Sequence, residues 1–224
     1  MILKHLAHTS DSSSYIITFL FSLKNLLDIY DFSSFKLRLT LFFLRHMGRC
    51  IYGGIYDPES PHADSNGYRL DVLTHLRTLR IPVMRYPGGN FVATYHWQDG
   101  IGPRSSRPKR PELAWLGVES NQFGTDEFMH WLEELSKGED GKEGTKCEPY
   151  IALNFGTGTL DEALAWVEYC NGTKDTHFAN LRRKNGREEP YNVKYWALGN
   201  EVSYACCKIL SKPLSMVGND SNEA

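Results

Sequence analysis

The sequence predicts an α/β fold built around a parallel β-sheet. Short apolar segments of strand length alternate along the chain with longer segments whose apolar residues recur at helical spacing. The strand candidates are continuously apolar, which is typical of strands covered on both faces by helices. No repeat of short period is present. These observations predict helices packed on a mostly parallel sheet.

The first predicted elements form one βαβ unit. Residues 50–56 are apolar and β-branched enough for a buried strand. Leucines at near-helical spacing predict a helix over residues 67–80. Pro82 ends this helix and precedes a second strand, Val83–Tyr86, after which Gly88 and Gly89 turn the chain.

A long connection and a second helix follow. Residues 87–123 are too many for a simple loop, so we interpret this segment as a functional loop. Thr125 is predicted to cap a helix whose first turn carries Asp126 and Glu127, with apolar residues facing inward. The glycine- and charge-rich segment 138–145 is predicted to be a flexible insertion.

The last predicted elements repeat the strand and helix pattern. Residues 149–155 form the third predicted strand, and Thr159 with Glu162 forms a capping box that begins the next helix. A polar loop over residues 171–190 leads into the fourth strand, residues 193–198.

Composition excludes several classes of function. The 224 residues, 41% of them hydrophobic, suffice for one core, and the net charge of -2 indicates neither a nucleic-acid footprint nor a polybasic membrane patch. A neutral polar molecule such as a sugar is the natural partner. Five cysteines without CxxC spacing favour a reducing compartment and argue against a zinc site.

The amino-terminal segment carries a weak export signal. The apolar run over residues 16–23 starts late and is followed by no small-residue cleavage site, and the run over residues 37–44 is far too short to span a bilayer. We therefore predict a cytoplasmic protein without a membrane partner, and secretion is the alternative location.

The fourth strand ends in Gly199-Asn200-Glu201, which is the most informative motif of the chain. Barrel enzymes place catalytic groups at the carboxyl ends of their strands, so Glu201 is a candidate proton donor. Such an acid needs a raised pKa, from burial or from a second nearby carboxylate. The alternative is a surface glutamate that closes a strand.

Six sequence blocks occur in the order of a known family. They are residues 48–58, 85–91, 97–103, 121–128, 154–159 and 191–201. On these blocks the chain resembles the α-L-arabinofuranosidases of glycoside hydrolase family 51. The resemblance implies a partial, truncated (β/α)8 TIM barrel that contains the first four βα units. It also implies retaining hydrolysis of terminal α-L-arabinofuranosides, without a metal or an organic cofactor.

Both ends of the chain depart from the family pattern. Residues 1–44 form a segment unlike the family, Arg45 stands where relatives have a glutamate, and residues 202–224 form a divergent tail. The expected catalytic domain is thus residues 45–201. The later strands and the nucleophilic glutamate of the family are missing, so we expect an incomplete enzyme. The rival hypothesis is a non-catalytic fragment that binds arabinosides weakly, and a family-like homo-oligomer is not assumed.

The resemblance assigns roles to Glu201, Arg85 and Asn90, and the positions of Asn200 and Trp97 make them further candidates. Glu201 is the general acid/base, and Asn200 contacts the 2-hydroxyl of the sugar, unless it is only a turn residue. Arg85 orients acidic groups of the site or forms a structural ion pair. Asn90 is a sugar-binding amide that follows two glycines. Trp97 either stacks on the substrate at the cleft mouth or anchors its loop in the core.

Overall fold

The computed structural model of the protein describes residues 16–17, 41–44, 46–138 and 144–201. A five-stranded sheet lies at its centre. In chain order its strands are β1 (Ile16–Ile17), β2 (Leu41–Phe43), β3 (Val83–Tyr86), β6 (Glu148–Ala152) and β7 (Tyr195–Ala197). Between β3 and β6 the chain forms a separate two-stranded antiparallel hairpin, β4 (Arg110–Glu112) and β5 (Gly117–Glu119).

The central sheet is parallel throughout. Its spatial order is β1-β7-β6-β3-β2, so β2, β3, β6 and β7 lie side by side in chain order, and β1 pairs with the outer edge of β7. Val83 of β3 faces Glu148 of β6, and Tyr150 of β6 faces Tyr195 of β7. The predicted parallel sheet is therefore confirmed, as a partial sheet.

Four α-helices lie in the part of the chain that the structure describes. They are α1 (Leu70–Thr78), α2 (Thr125–Ser136), α3 (Leu160–Asn171) and α4 (His177–Lys184). The first three were predicted, as were β3, β6 and β7. Of these, α1, β6 and β7 are shorter than the sequence pattern suggests. Within the described part of the chain, no helix combines the length and the apolar content needed to cross a membrane.

Aromatic side chains fill the core between the sheet and the helices. The rings of Tyr86 on β3 and Phe128 on α2 stack with their centroids 4.6 Å apart. Phe128, Leu132 and Leu135 of α2 are buried, as their spacing predicts. Burial of such large rings is the main source of stability for a domain of this kind.

The long connection between β3 and α2 is ordered. It contains three short 3₁₀ helices, residues 89–94, 97–100 and 104–106, followed by the β4–β5 hairpin. Buried Arg107 ties it to α2, because its guanidinium donates to both carboxylate oxygens of Glu127 at 2.8 and 3.0 Å. A paired and hydrogen-bonded charge of this kind is tolerated in a core.

The cap of α2 differs from the prediction. Gly124, not Thr125, is the residue before the helix, and its backbone N–H donates to the Glu127 carboxylate at 2.9 Å. Thr125 instead accepts a hydrogen bond from the indole of Trp166 at 3.1 Å. The threonine thus joins two helices, which a local capping pattern could not indicate.

The first strand was predicted at the wrong place. Residues 50–56 form tight turns, in which the N–H groups of Ile55 and Tyr56 donate to the carbonyls of Cys50 and Ile51. The strand that precedes β3 along the chain and pairs with it is β2, inside the segment predicted to be poorly specified. Local turn hydrogen bonds therefore outweigh the apolar, β-branched composition of residues 50–56.

The predicted polar loop over residues 171–190 contains α4. This helix has few apolar residues, but Arg182 is completely buried and donates to the carbonyls of Tyr169 and Gly172 at 2.8 and 3.0 Å. A buried arginine that satisfies neighbouring carbonyls replaces the apolar stripe on which prediction depends.

Of the predicted flexible insertion, residues 139–143 lie outside the described residues, as does Arg45.

Candidate active site

Three loops meet at the carboxyl edge of the sheet. One follows β3 and carries Asn90, one follows β6 and contains Asn154, and one follows β7 and carries Asn200 and Glu201. Because the strands are parallel, their carboxyl ends lie at the same edge. Side chains far apart in the sequence are brought together there.

A hydrogen-bonded network joins three of the predicted site residues. Arg85 Nη2 donates to Asn200 Oδ1 at 3.1 Å, and Asn200 Nδ2 donates to Asn90 Oδ1 at 2.9 Å. Arg85 is only 7% exposed, whereas Asn90 is exposed. The network therefore runs from the buried end of β3 to the surface. Because the arginine is a donor, it orients the Asn200 amide, whose nitrogen then faces Asn90.

Glu201 adjoins this network at the end of β7. Its side chain is exposed, and its backbone φ of +50° lies in the left-handed region. Gly199, two residues earlier, also has a positive φ, of +83°. Non-glycine residues seldom adopt this conformation, and such outliers concentrate at functional sites. The role of Glu201 as a general acid/base remains a prediction.

The loop after β6 supports the segment that carries Asn90. Asn154 Nδ2 donates to the carbonyl of Tyr95 at 3.1 Å, and Thr157 donates from its N–H and its hydroxyl to the carbonyl of Ala93 at 2.9 and 3.1 Å. A Cβ atom at Gly156 would lie 2.3 Å from that carbonyl oxygen. Only glycine permits this close approach.

His46 contacts the segment that carries Asn90, and it was not identified from the sequence. Its ring stacks on the ring of Phe91, the residue that follows Asn90 in the chain. The two ring centroids are 4.1 Å apart, and the planes are inclined by 8°. Its Nε2 is 3.4 Å from Oε2 of buried Glu119, which also accepts a hydrogen bond from the Tyr52 hydroxyl. The available signal was the position of His46 in the segment 45–49, which resembles a family motif.

Burial determines the ionisation of this buried pair. It lowers the pKa of His46 from 6.5 to about 3. Burial also raises the pKa of Glu119, against the opposing effect of hydrogen bonds from Tyr52 and the Asn121 N–H. His46 is therefore neutral at pH 7, as expected for an imidazole without solvent.

His46→Phe should remove part of the acid sensitivity of the chain. The folded state keeps His46 neutral down to about pH 3, whereas the unfolded state binds a proton below pH 6.5. Protonation of His46 therefore favours the unfolded state, and the free energy of unfolding decreases as the pH falls from 6.5 to about 3. Urea unfolding at pH 7 and pH 5 should therefore show a smaller pH-dependent loss in the variant, by about 2 kcal/mol. His75→Phe, at an exposed position on α1, is the matched control, and equal pH dependence in both variants would contradict the assignment.

Trp97 does not belong to the network. It is 1% exposed, its indole stacks on Trp166 with centroids 5.8 Å apart, and its N–H donates to the carbonyl of Glu162 at 3.1 Å. The prediction that it stacks on the substrate at a cleft mouth is wrong for this structure, because no ring face is available. Trp97 is the buried loop anchor of the alternative interpretation.

Within the described ranges, no group of three histidine, cysteine, aspartate or glutamate side chains is arranged to hold a metal ion. The network instead offers amide and guanidinium groups, with the carboxyl group of Glu201 next to it in the chain, and such groups bind polar neutral ligands through hydrogen bonds.

A parallel sheet with such groups at its carboxyl edge defines a class, the α/β proteins that bind and process small polar ligands at that edge. Comparison with known proteins narrows this class. The profile of the alpha-L-arabinofuranosidase 1 domain matches residues 75–209. The chain belongs to this family, the α-L-arabinofuranosidases of glycoside hydrolase family 51.

Individual relatives agree with this assignment. The chain is similar to the probable alpha-L-arabinofuranosidase C of Aspergillus clavatus, with 73% identity over 160 residues, and to the intracellular exo-alpha-(1->5)-L-arabinofuranosidase 1 of Bacillus subtilis, with 44% identity over 160 residues. Each match covers 71% of this chain and 30% of the relative. The structure of a thermostable GH51 alpha-L-arabinofuranosidase from Thermotoga petrophila matches with a TM-score of 0.68 and 53% identity, covering 73% of this chain and 32% of that one. The chain thus spans about 30% of the length of these curated relatives.

Proposed function

We propose that the chain supplies the acid/base part of a retaining α-L-arabinofuranosidase. The whole enzyme would release terminal non-reducing α-L-arabinofuranosyl residues from arabinose-containing polysaccharides and oligosaccharides. The observation that carries the proposal is Gly199-Asn200-Glu201 at the end of β7, with Asn200 hydrogen-bonded to Arg85 and Asn90.

Each group has a role in this reaction. Glu201 protonates the oxygen of the leaving group and then takes a proton from the water that releases the sugar. The amides of Asn200 and Asn90 bind hydroxyl groups of the arabinofuranose, and Arg85 holds the Asn200 amide in position. No metal or organic cofactor takes part.

The retaining mechanism also needs a nucleophilic carboxylate about 5–5.5 Å from the acid. The hydrogen bonds of Asn90 and Asn200 among the described residues join them to each other and to Arg85, and none involves a carboxylate. We assign the nucleophile to no residue of this chain. The rest of the site would come from the part of the family's length that the chain does not span.

The proposed architecture follows from the sheet. β2, β3, β6 and β7 would be the first four strands of a (β/α)8 barrel, and residues 45–201 would form its catalytic part, to which β2 in the preceding segment adds one strand. The intracellular relative from Bacillus subtilis supports a cytoplasmic location. The partner would be a neutral arabinose-containing glycan, and neither nucleic acid nor a membrane is proposed.

A non-catalytic fragment is the second candidate, favoured by the 30% coverage of the relatives. Such a protein would bind arabinosides weakly or not at all. It is distinguished from the first candidate by turnover in the completed barrel, because neither candidate predicts turnover by the 224-residue chain alone.

Completion of the barrel tests the first proposal. We expect the 224-residue chain alone to show no turnover of α-1,5-linked arabinobiose, because no second carboxylate attacks the anomeric carbon. Fusing residues 1–201 to the remaining length of the Bacillus subtilis relative should yield turnover that depends on Glu201. Circular dichroism of the fusion verifies folding. A folded fusion without turnover, or a chain that turns over the substrate alone, would contradict the proposal.

A further inference from the structure

A second opening lies outside the Arg85–Asn200 network. Its volume is about 510 Å³, within the range of pockets that hold small ligands. Its walls come from the loop after β3, from the start of α3 and from Phe178 on α4. None of its lining residues belongs to the network described above.

The walls of this pocket are preorganised. Trp97 is buried, and its indole N–H donates a hydrogen bond to the carbonyl of Glu162. This anchored residue holds its exposed neighbours His96 and Gln98 in place at the surface. His96 Nδ1 lies 2.9 Å from a carboxylate oxygen of Glu162, which joins the loop to α3. A site that is already formed costs little conformational entropy when a ligand binds.

The polar groups of the pocket fit a molecule with many hydroxyls. The guanidinium of Arg110 forms two hydrogen bonds with Asp99, at 2.7 and 3.1 Å, which leaves a planar polar edge at one wall. The exposed side chains of Gln98 and Asp161 make no hydrogen bond with any described residue. The amide and the carboxylate are thus available to donate and accept.

Charge and shape restrict the ligand further. The carboxylates of Asp99, Asp161 and Glu162 outnumber the single arginine, Arg110, which disfavours phosphates and other anions. The partly buried ring of Phe178 provides an apolar surface of the kind that covers the C–H face of a sugar. A neutral sugar ring meets all of these conditions.

We propose that this pocket is a second carbohydrate site, which binds a sugar unit of the glycan remote from the residue that is cleaved. The loop after β3 and the start of α3 both lie at the carboxyl edge of the sheet, where the network also lies. The identity of the glycan rests on the proposed function, whereas the binding of a neutral sugar does not.

Binding to the intact 224-residue chain tests the inference by protein-detected NMR. Titration with α-1,5-arabinopentaose or β-1,4-xylopentaose should shift the side-chain amide signals of Gln98 and the ring signals of Phe178. Gln98→Ala should weaken this binding about fivefold, the effect of one hydrogen bond. Gln122, the other glutamine of the chain, lies outside the pocket, and Gln122→Ala is the matched control with unchanged affinity.

The outcomes separate this inference from the proposed function. Shifts at Gln98 and Phe178 in the unaltered chain support the pocket, provided that the Phe178 shift needs about fivefold more pentaose in the Gln98→Ala variant and more pentaose also in Asp161→Asn. This holds even if Asn90 and Asn200 do not respond. Shifts at Asn90 and Asn200 alone would overturn the pocket and leave the proposed function intact. Failure of both pentaoses to shift Gln98 would also overturn it.

Discussion

Glu201→Ala in the completed enzyme should slow the cleavage of α-1,5-arabinobiose by about 10²–10⁴-fold, the usual contribution of a positioned general acid. The sugar leaving group needs a proton as the bond breaks. A 4-nitrophenyl arabinofuranoside has a leaving group that departs without one, so its first step should be nearly unaffected. Comparison of kcat/KM for the two substrates measures the difference.

The control for this variant is Glu189→Ala, which removes an exposed carboxylate from the loop between α4 and β7. It should leave both substrates unaffected. Equal losses on arabinobiose and on the aryl substrate in Glu201→Ala would remove the acid assignment. Glu201 would then be a surface residue that closes a strand.

Trp97→Ala should lower the free energy of unfolding of the 224-residue chain by about 3–5 kcal/mol, the range for loss of a buried tryptophan. The substitution leaves a cavity against Trp166 and Tyr169 and deprives the Glu162 carbonyl of its donor. Urea unfolding followed by circular dichroism measures the change.

Trp115→Ala is the matched control, because Trp115 lies between β4 and β5 and is 49% exposed. Its substitution should change the free energy of unfolding by no more than about 0.5 kcal/mol. Equal destabilisation by the two variants would show that the burial of Trp97 does not stabilise the fold. The two substitutions thus separate a core residue from an exposed one of the same type.

Local sequence signals predicted much of the fold. The strand Val83–Tyr86 has the predicted bounds, because Pro82 precedes this short, largely apolar run and two glycines follow it. Thr159 caps α3 by accepting the N–H of Glu162 at 3.1 Å, as the spacing of the two residues indicated. The carboxylate of Glu162 bonds to His96 instead of completing the capping box.

The candidate site was predicted in part. Arg85, Asn90 and Asn200 were identified one by one from their positions near the ends of strands and from the family blocks, and the structure brings them together. The stacking of His46 on Phe91 was missed, because it joins residues 45 positions apart that belong to different loops. No periodic pattern reports such a contact.

The sequence by itself determined the α/β class, the parallel order of strands and the family, because strand length, helical spacing and strand-end motifs are local properties of the chain. Only the tertiary structure decided the position of the first strand, the presence of α4 and the direction of Trp97. Each of these depends on partners distant in sequence: β3 for β2, backbone carbonyls for Arg182, and the aromatic core for Trp97. Their energies arise from packing and burial, which exist only when the chain is folded.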